Sequence, residues 1–182
     1  MAGRRSDARQ KMVSAARELF REQGYHATAL SDVVQRSEAP RGSVYFHFPG
    51  GKAELAAEAA ELHTREQVAN IDRAAADART PADLVRAYLD LARAALVASD
   101  YRQGCAVAPL VIESADLGEV SARSFTAIIT ALTGHFTTLG LDQANARTLA
   151  DAVVAGAEGA LITARALRST SPFDAVQAVF AR

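Results

Sequence analysis

The chain has 182 residues, 49% of them hydrophobic and 23% charged, with a formal net charge of −1. That is enough apolar material for one or two compact units with a real core. No apolar run reaches the roughly 18 residues of a membrane span, the first residues lack the apolar stretch of a signal peptide, and the single cysteine, Cys105, excludes an intrachain disulfide. A cytoplasmic protein without membrane partners is therefore expected.

The predicted elements are all helical. Met12, Ala16, Leu19 and Phe20 recur at helical spacing, Asp7 with Gln10 supplies a capping-box start, and Gly24 is a stop signal. Thr28 is placed as the N-cap of a second, short helix whose apolar face is Leu30, Val33 and Val34. Ser37-Glu38-Ala39-Pro40 reads as a turn, because Pro40 disfavours helical geometry at Ala39 and suits the first turn of a new helix. A third short helix is expected over 40–46. Helix, tight turn and short helix is the helix-turn-helix layout, in which the N-terminal side chains of the second member meet base edges in the major groove. Arg41 and Ser43 hold those positions.

The charge distribution agrees. Up to Lys52 nine Lys and Arg stand against five acids, a net of +4, and the remaining residues carry −5. A basic head suits phosphate, and a mildly acidic body keeps the rest of the chain off DNA.

Punctuation divides the rest into further helices. A long fourth helix is expected over 51–78. Thr80-Pro81-Ala82-Asp83 combines N-cap, N1 proline and first-turn acid to open a fifth, which continues to Ala98 before a connection closed by Gly104. A short helix over 106–114 contains Pro109, a long one over 117–139 ends at Gly140, Asp142 opens one running to about residue 168, and Ser171-Pro172-Phe173-Asp174 starts a terminal helix. The fold class is all-α with about nine helices.

The residues from about Val13 to Leu55 resemble the TetR family of bacterial transcriptional regulators. The resemblance is carried by Gly24, Thr28, Asp32-Val33-Val34, Gly42-Ser43, the run Tyr45-Phe46-His47-Phe48, and Lys52. Two departures stand out. Glu38 occupies a position where many members have glycine, and Pro49-Gly50-Gly51 is one residue longer than the common linker, as in the subgroup related to multidrug-efflux and antibiotic-resistance repressors. The resemblance implies a helix-turn-helix DNA-binding domain over 1–50 and a helical ligand-binding and dimerisation domain over 51–182. It further implies that Thr28, Tyr45 and Lys52 touch phosphates, that Arg41 and Ser43 read bases, and that Gly42 admits the backbone. Hydroxyl and ammonium groups suit phosphate, and an arginine fork fits guanine O6 and N7. Alternatives stand beside these roles: Thr28 as a pure cap, Tyr45 as a ring packed on the first helix, His47 as a phosphate donor or as the holder of the third helix's end. Phe46 and Phe48 read as core, and Arg4, Arg5 and Arg9 as a tail or an electrostatic arm.

In the body, Ala152, Ala155, Gly156, Gly159 and Ala160 place small residues along one strip with Val153 as apolar bulk, suited to internal packing or to a partner helix. The resemblance implies the latter, a four-helix interface in a homodimer that sets two reading helices on a palindromic double-stranded DNA operator. It implies also a pocket for a small-molecule inducer. Candidate lining is Leu62, Tyr88, Leu91, Tyr101, Cys105, Leu110, Phe125, Ile129, Phe136 and Ile162, with polar points at His63, Gln67, Glu113 and Glu158. Each of these alone reads as core, and Cys105 reads as a plain buried thiol before a redox sensor. The four histidines show no metal spacing, and no phosphate-cradling glycine loop, nucleophile elbow or cofactor motif is present. A ligand-responsive regulator without cofactor, metal site or enzymatic activity is expected, most simply a repressor. The competing function is a helical small-molecule-binding protein that does not bind an operator.

Overall fold

The structure, a computed structural model, describes residues 2–40 and 42–180, with side chains from Asp7 onward. Arg41 and the side chains of Arg4 and Arg5 lie outside the described residues. Among the described residues there are nine α-helices, one 3-10 turn and no strand. The helices are α1 (Ala2–Gln23), α2 (Leu30–Arg36), α3 (Ser43–His47), α4 (Gly51–Ala75), α5 (Pro81–Ala98), α6 (Ala108–Glu113), α7 (Gly118–Thr138), α8 (Gln143–Leu167) and α9 (Ser171–Phe180).

Helix boundaries follow local chemistry, with instructive shifts. α1 begins before Asp7, so that carboxylate does not cap it but pairs with Lys11 one turn on, at 3.1 Å. Gly24 ends the helix as expected, at φ +87°, where its amide donates to the Phe20 carbonyl. The N-cap of α2 is Ala29, not Thr28, and the Asp32 carboxylate accepts from the Ala29 amide at 3.2 Å. α3 starts at Ser43, and Pro40 belongs to the preceding turn, its carbonyl accepting from the Ser43 amide. α4 stops at Ala75, short of the expected residue 78. At α5 the box closes fully: Asp83 N–H donates to Thr80 Oγ1 at 3.2 Å and Thr80 N–H to the Asp83 carboxylate at 3.0 Å. These hydrogen bonds, that with Thr80 foremost, hold Asp83 below its ordinary pKa. The connection after α5 is turned by Asp100 and Tyr101, both left-handed at φ +53° and +59°, rather than by Gly104.

The chain forms two compact units, Met1–His63 with Cys105–Ser124, and Thr64–Gly104 with Phe125–Arg182. The first therefore extends past residue 50: the first half of α4, α6 and the start of α7 pack with the N-terminal helices. Its buried side chains include Met12, Phe20, Val33, Val44, Phe48, Leu55 and Leu110. The second is a helical bundle in which α8 packs against α5 and α9. Its core takes in Ile71, Leu84, Leu89, Leu96, Leu132, Phe136, Val153 and Phe173. On α8 the buried positions Ala146, Ala150, Val153, Ala157, Ala160 and Ala164 step by three and four, the spacing of one helical face. No helix among the described residues is long and apolar enough to cross a membrane.

Candidate nucleic-acid interface

α2 and α3 are too short to persist alone, so their geometry comes from tertiary contacts. α2 is fixed by buried Val33 and by the inward-facing Ser37, whose hydroxyl donates to the Val34 carbonyl. α3 is fixed by Val44 and Phe48, 4% and 0% exposed. The Arg9 guanidinium lies over the Phe48 ring, 5.0 Å from its centroid, and pairs with both carboxylate oxygens of Glu58 on α4. Arg9 thus clamps α1, α3 and α4 and is no mobile arm.

Among the described residues of the turn between α2 and α3, two are left-handed. Glu38 sits at φ +56° and Gly42 at φ +85°. Gly42 is the N-cap of α3 and is exposed, with nothing within 4 Å of where a Cβ would stand. A surface can approach its backbone closely. Between α2 and α3 lies a hollow of about 810 Å³ lined by Leu30, Ser31, Val34, Gln35, Glu38, Ala39, Gly42, Val44 and Tyr45.

The expected DNA-contact residues divide on this surface. Tyr45 is 65% exposed, so its ring is not packed on α1. Phe46, expected in the core, is equally exposed at 65% and meets the His47 ring edge-on at 5.2 Å, whereas Phe48 is core as expected. His47 is half-buried between the two rings. Thr28 faces inward: it is 1% exposed and its hydroxyl donates to the Gly24 carbonyl at 2.7 Å, which pins the loop between α1 and α2. Ser43 Oγ is also buried, with no hydrogen-bond partner among the described residues. Neither hydroxyl is presented to DNA in this conformation. Lys52, half-buried at the start of α4, donates to the His26 carbonyl at 3.3 Å and stands 4.3 Å from the Tyr25 ring centroid. Burial lowers its pKa, and the Glu113 carboxylate opposes that effect.

Much of the head's basic charge is already spent within the fold. Arg9 pairs with Glu58, Lys11 with Asp7, and Arg36 with Glu22 at 3.0 Å and Glu18 at 3.6 Å. The net charge of the segment is thus a looser guide to its DNA face than the exposed side chains of α3.

The candidate pocket residues are distributed over both units. In the first, His63 and Cys105 are buried together, Nε2 to Sγ 3.7 Å, Leu110 is fully buried, and Leu62, which precedes His63, is half-buried. Burial, and then the positive charges of Arg21 and Arg17, lower the His63 pKa to about 3, so the ring is neutral at pH 7. Glu113 lies elsewhere in that unit, against the loop between α1 and α2. In the second unit Tyr88 and Phe136 belong to the core, and Phe125, Ile129 and Tyr101 pack against it. Arg168 covers the Tyr101 ring at 5.5 Å. Gln67 and Glu158 are half-buried, Leu91 is at the surface, and Ile162 is 59% exposed.

The expected strip of small residues on α8 also splits. Val153 and Ala160 are buried in the intrachain core, and a Cβ on Gly156 would stand 3.0 Å from Val176 and 3.1 Å from Phe180 of α9. Val153 and Ala160 thus pack inside the chain, and the half-buried Gly156 faces α9. Ala155 and Gly159 are exposed, and Ala152 is half-buried. Among the described residues no group of three His, Cys, Asp or Glu is placed to hold a metal ion.

A helix-turn-helix with an exposed second helix, joined to a helical bundle, defines a DNA-binding protein with an attached body. Comparison with known proteins gives the family. Residues 12–59 match the model for bacterial regulatory proteins of the tetR family, and residues 81–179 match that for the C-terminal domain of LmrA/YxaF-like transcriptional regulators. The HTH-type transcriptional regulator Rv0196 of Mycobacterium tuberculosis is 36% identical over 92% of this chain and 89% of its own. The HTH-type transcriptional regulator LmrA of Bacillus subtilis is 30% identical over 91% and 90%. A crystal structure of regulatory protein TetR from Rhodobacter sphaeroides superposes with a TM-score of 0.85 over 96% of this chain and 97% of that one, at 22% identity. The chain belongs to the TetR family of transcriptional regulators and shares its fold.

Proposed function

We propose that the protein is a cytoplasmic, homodimeric repressor that binds a palindromic operator and is released by a small apolar or amphipathic molecule, with no enzymatic step. The functional division is a DNA-binding region over 1–50 and a ligand-binding and dimerisation region over 51–182. The observation that carries the reading is the surface of α3. Its buried side, Val44 and Phe48, is locked, while Gly42 and Tyr45 stand open on the other. Arg41 reads a base edge there, Gly42 allows close approach, and Tyr45, His47 and Lys52 contact phosphates. Thr28 contributes by pinning its loop, and Ser43 reaches a base only after its hydroxyl rotates outward.

The dimer face consists of the exposed Ala155, Gly159 and Ile162 with the half-buried Ala152, an apolar strip on α8 that a second copy can cover. Inducer acts by differential affinity for two conformations, so operator DNA weakens inducer binding by the same factor. Titration of the purified protein against its own upstream DNA and a scrambled duplex, at two salt concentrations, tests the reading. Salt-sensitive binding that prefers the native sequence is expected. Equal affinity for both duplexes would count against operator recognition.

A further inference from the structure

Glu113, the last residue of α6, is far in sequence from the DNA-reading elements yet touches the loop that leads into them. Its Oε2 accepts from the His26 amide at 2.5 Å. Its Oε1 occupies the space beside Gly24, where a Cβ would stand only 2.6 Å away. Gly24 is therefore required twice over, by φ +87° and by this carboxylate. The same loop is gripped from its other side chains: Thr28 holds the Gly24 carbonyl, and Lys52 holds the His26 carbonyl.

We propose that Glu113 is a positioning residue of the DNA-binding head, setting the Gly24–His26 loop through the His26 amide and tempering the positive charge that Lys52 offers to phosphate. This rests on Lys52 lying at the phosphate face. The carboxylate has two separable effects. As an acceptor it fixes a backbone amide, which orients α2 and the α3 that follows it. As an anion it attracts the Lys52 ammonium in competition with DNA, the two side chains holding the amide and the carbonyl of the same residue, His26. The head's register consequently depends on where α6 ends.

Two variants separate these effects. Glu113→Gln keeps an acceptor and removes the charge, and Glu113→Ala removes both. Each is compared with wild type on a duplex that wild type selects from a random pool and on a scrambled duplex, over a range of salt, with melting temperature as a check on folding. Both variants should bind the scrambled duplex about threefold more tightly and show a salt slope steeper by up to about one. Only Glu113→Ala should lose discrimination between the duplexes, by about tenfold, as expected for a lost hydrogen bond to a charged acceptor. Wild-type slope and discrimination in both variants would overturn the proposal. So would a common loss of affinity and melting temperature at unchanged slope, which marks packing alone. If Glu113→Ala fails to fold, the slope of Glu113→Gln still decides the charge effect. Failure of wild type to select any sequence would instead count against operator recognition itself, a different result.

Discussion

At the scale of single residues, backbone conformation explains one departure from the family pattern. Glu38 stands in the left-handed region at φ +56°, which is why glycine suits that position. Glu38→Gly relieves that strain at some cost in unfolded-chain entropy, and a net gain of about 0.5 kcal/mol is expected from chemical denaturation. Arg9 shows the reverse, a residue expected in a loose arm that closes three helices together through Phe48 and Glu58. His63 makes a different commitment. Its pKa falls from 6.5 in the unfolded chain to about 3 in the folded one, so between those values the unfolded state binds the extra proton. Stability should therefore decrease as pH falls from 6.5 toward 3, by at most about 1.4 kcal/mol per pH unit from this residue. Equilibrium unfolding at a series of pH values checks this, and His63→Gln should flatten that part of the profile.

At the scale of elements, α3 and α8 show how a helix assigns its faces. Five residues of α3 leave Tyr45 and Phe46 outward and Val44 inward, with Phe48 buried just beyond the helix end. The uninterrupted run Tyr45-Phe46-His47-Phe48 does not reveal which ring faces water, since that depends on the turn preceding Ser43. Arg41→Ala should reduce discrimination between operator and random duplex by about 1–3 kcal/mol, while Lys52→Ala should weaken binding to both more evenly. Competition titrations measure both, and equal losses on the two duplexes for Arg41→Ala would contradict base reading. On α8, glycine and alanine serve two ends. Gly156 admits Val176 and Phe180 of α9 within the subunit, and Gly159, one turn on, is open to solvent.

At the scale of the whole molecule, the exposed strip containing Ala155, Gly159 and Ile162 is the surface on which assembly is proposed. Ile162→Asp places a charge there without touching the intrachain core. Sedimentation should show a dimer for wild type and a shift toward monomer for the variant, with helical content unchanged. An unchanged sedimentation profile would move the interface elsewhere.

The sequence by itself determined the all-helical class, the helix order and the family, because capping residues, prolines and apolar spacing act locally, over three or four positions. Gly24, Thr80-Pro81, Gly140 and Asp142 each mark a boundary within reach of their own chemistry. What tertiary structure decided is which face each side chain uses and which distant segments meet. Thr28 turns inward, its hydroxyl donating to a carbonyl four residues back, and the Asp32 carboxylate instead takes the Ala29 amide at the start of α2. Val153 and Ala160 are interior and Phe46 exterior because packing of neighbouring helices, not composition, selects the buried face. Glu113 reaches His26 across 87 residues, a separation over which no local pattern carries information.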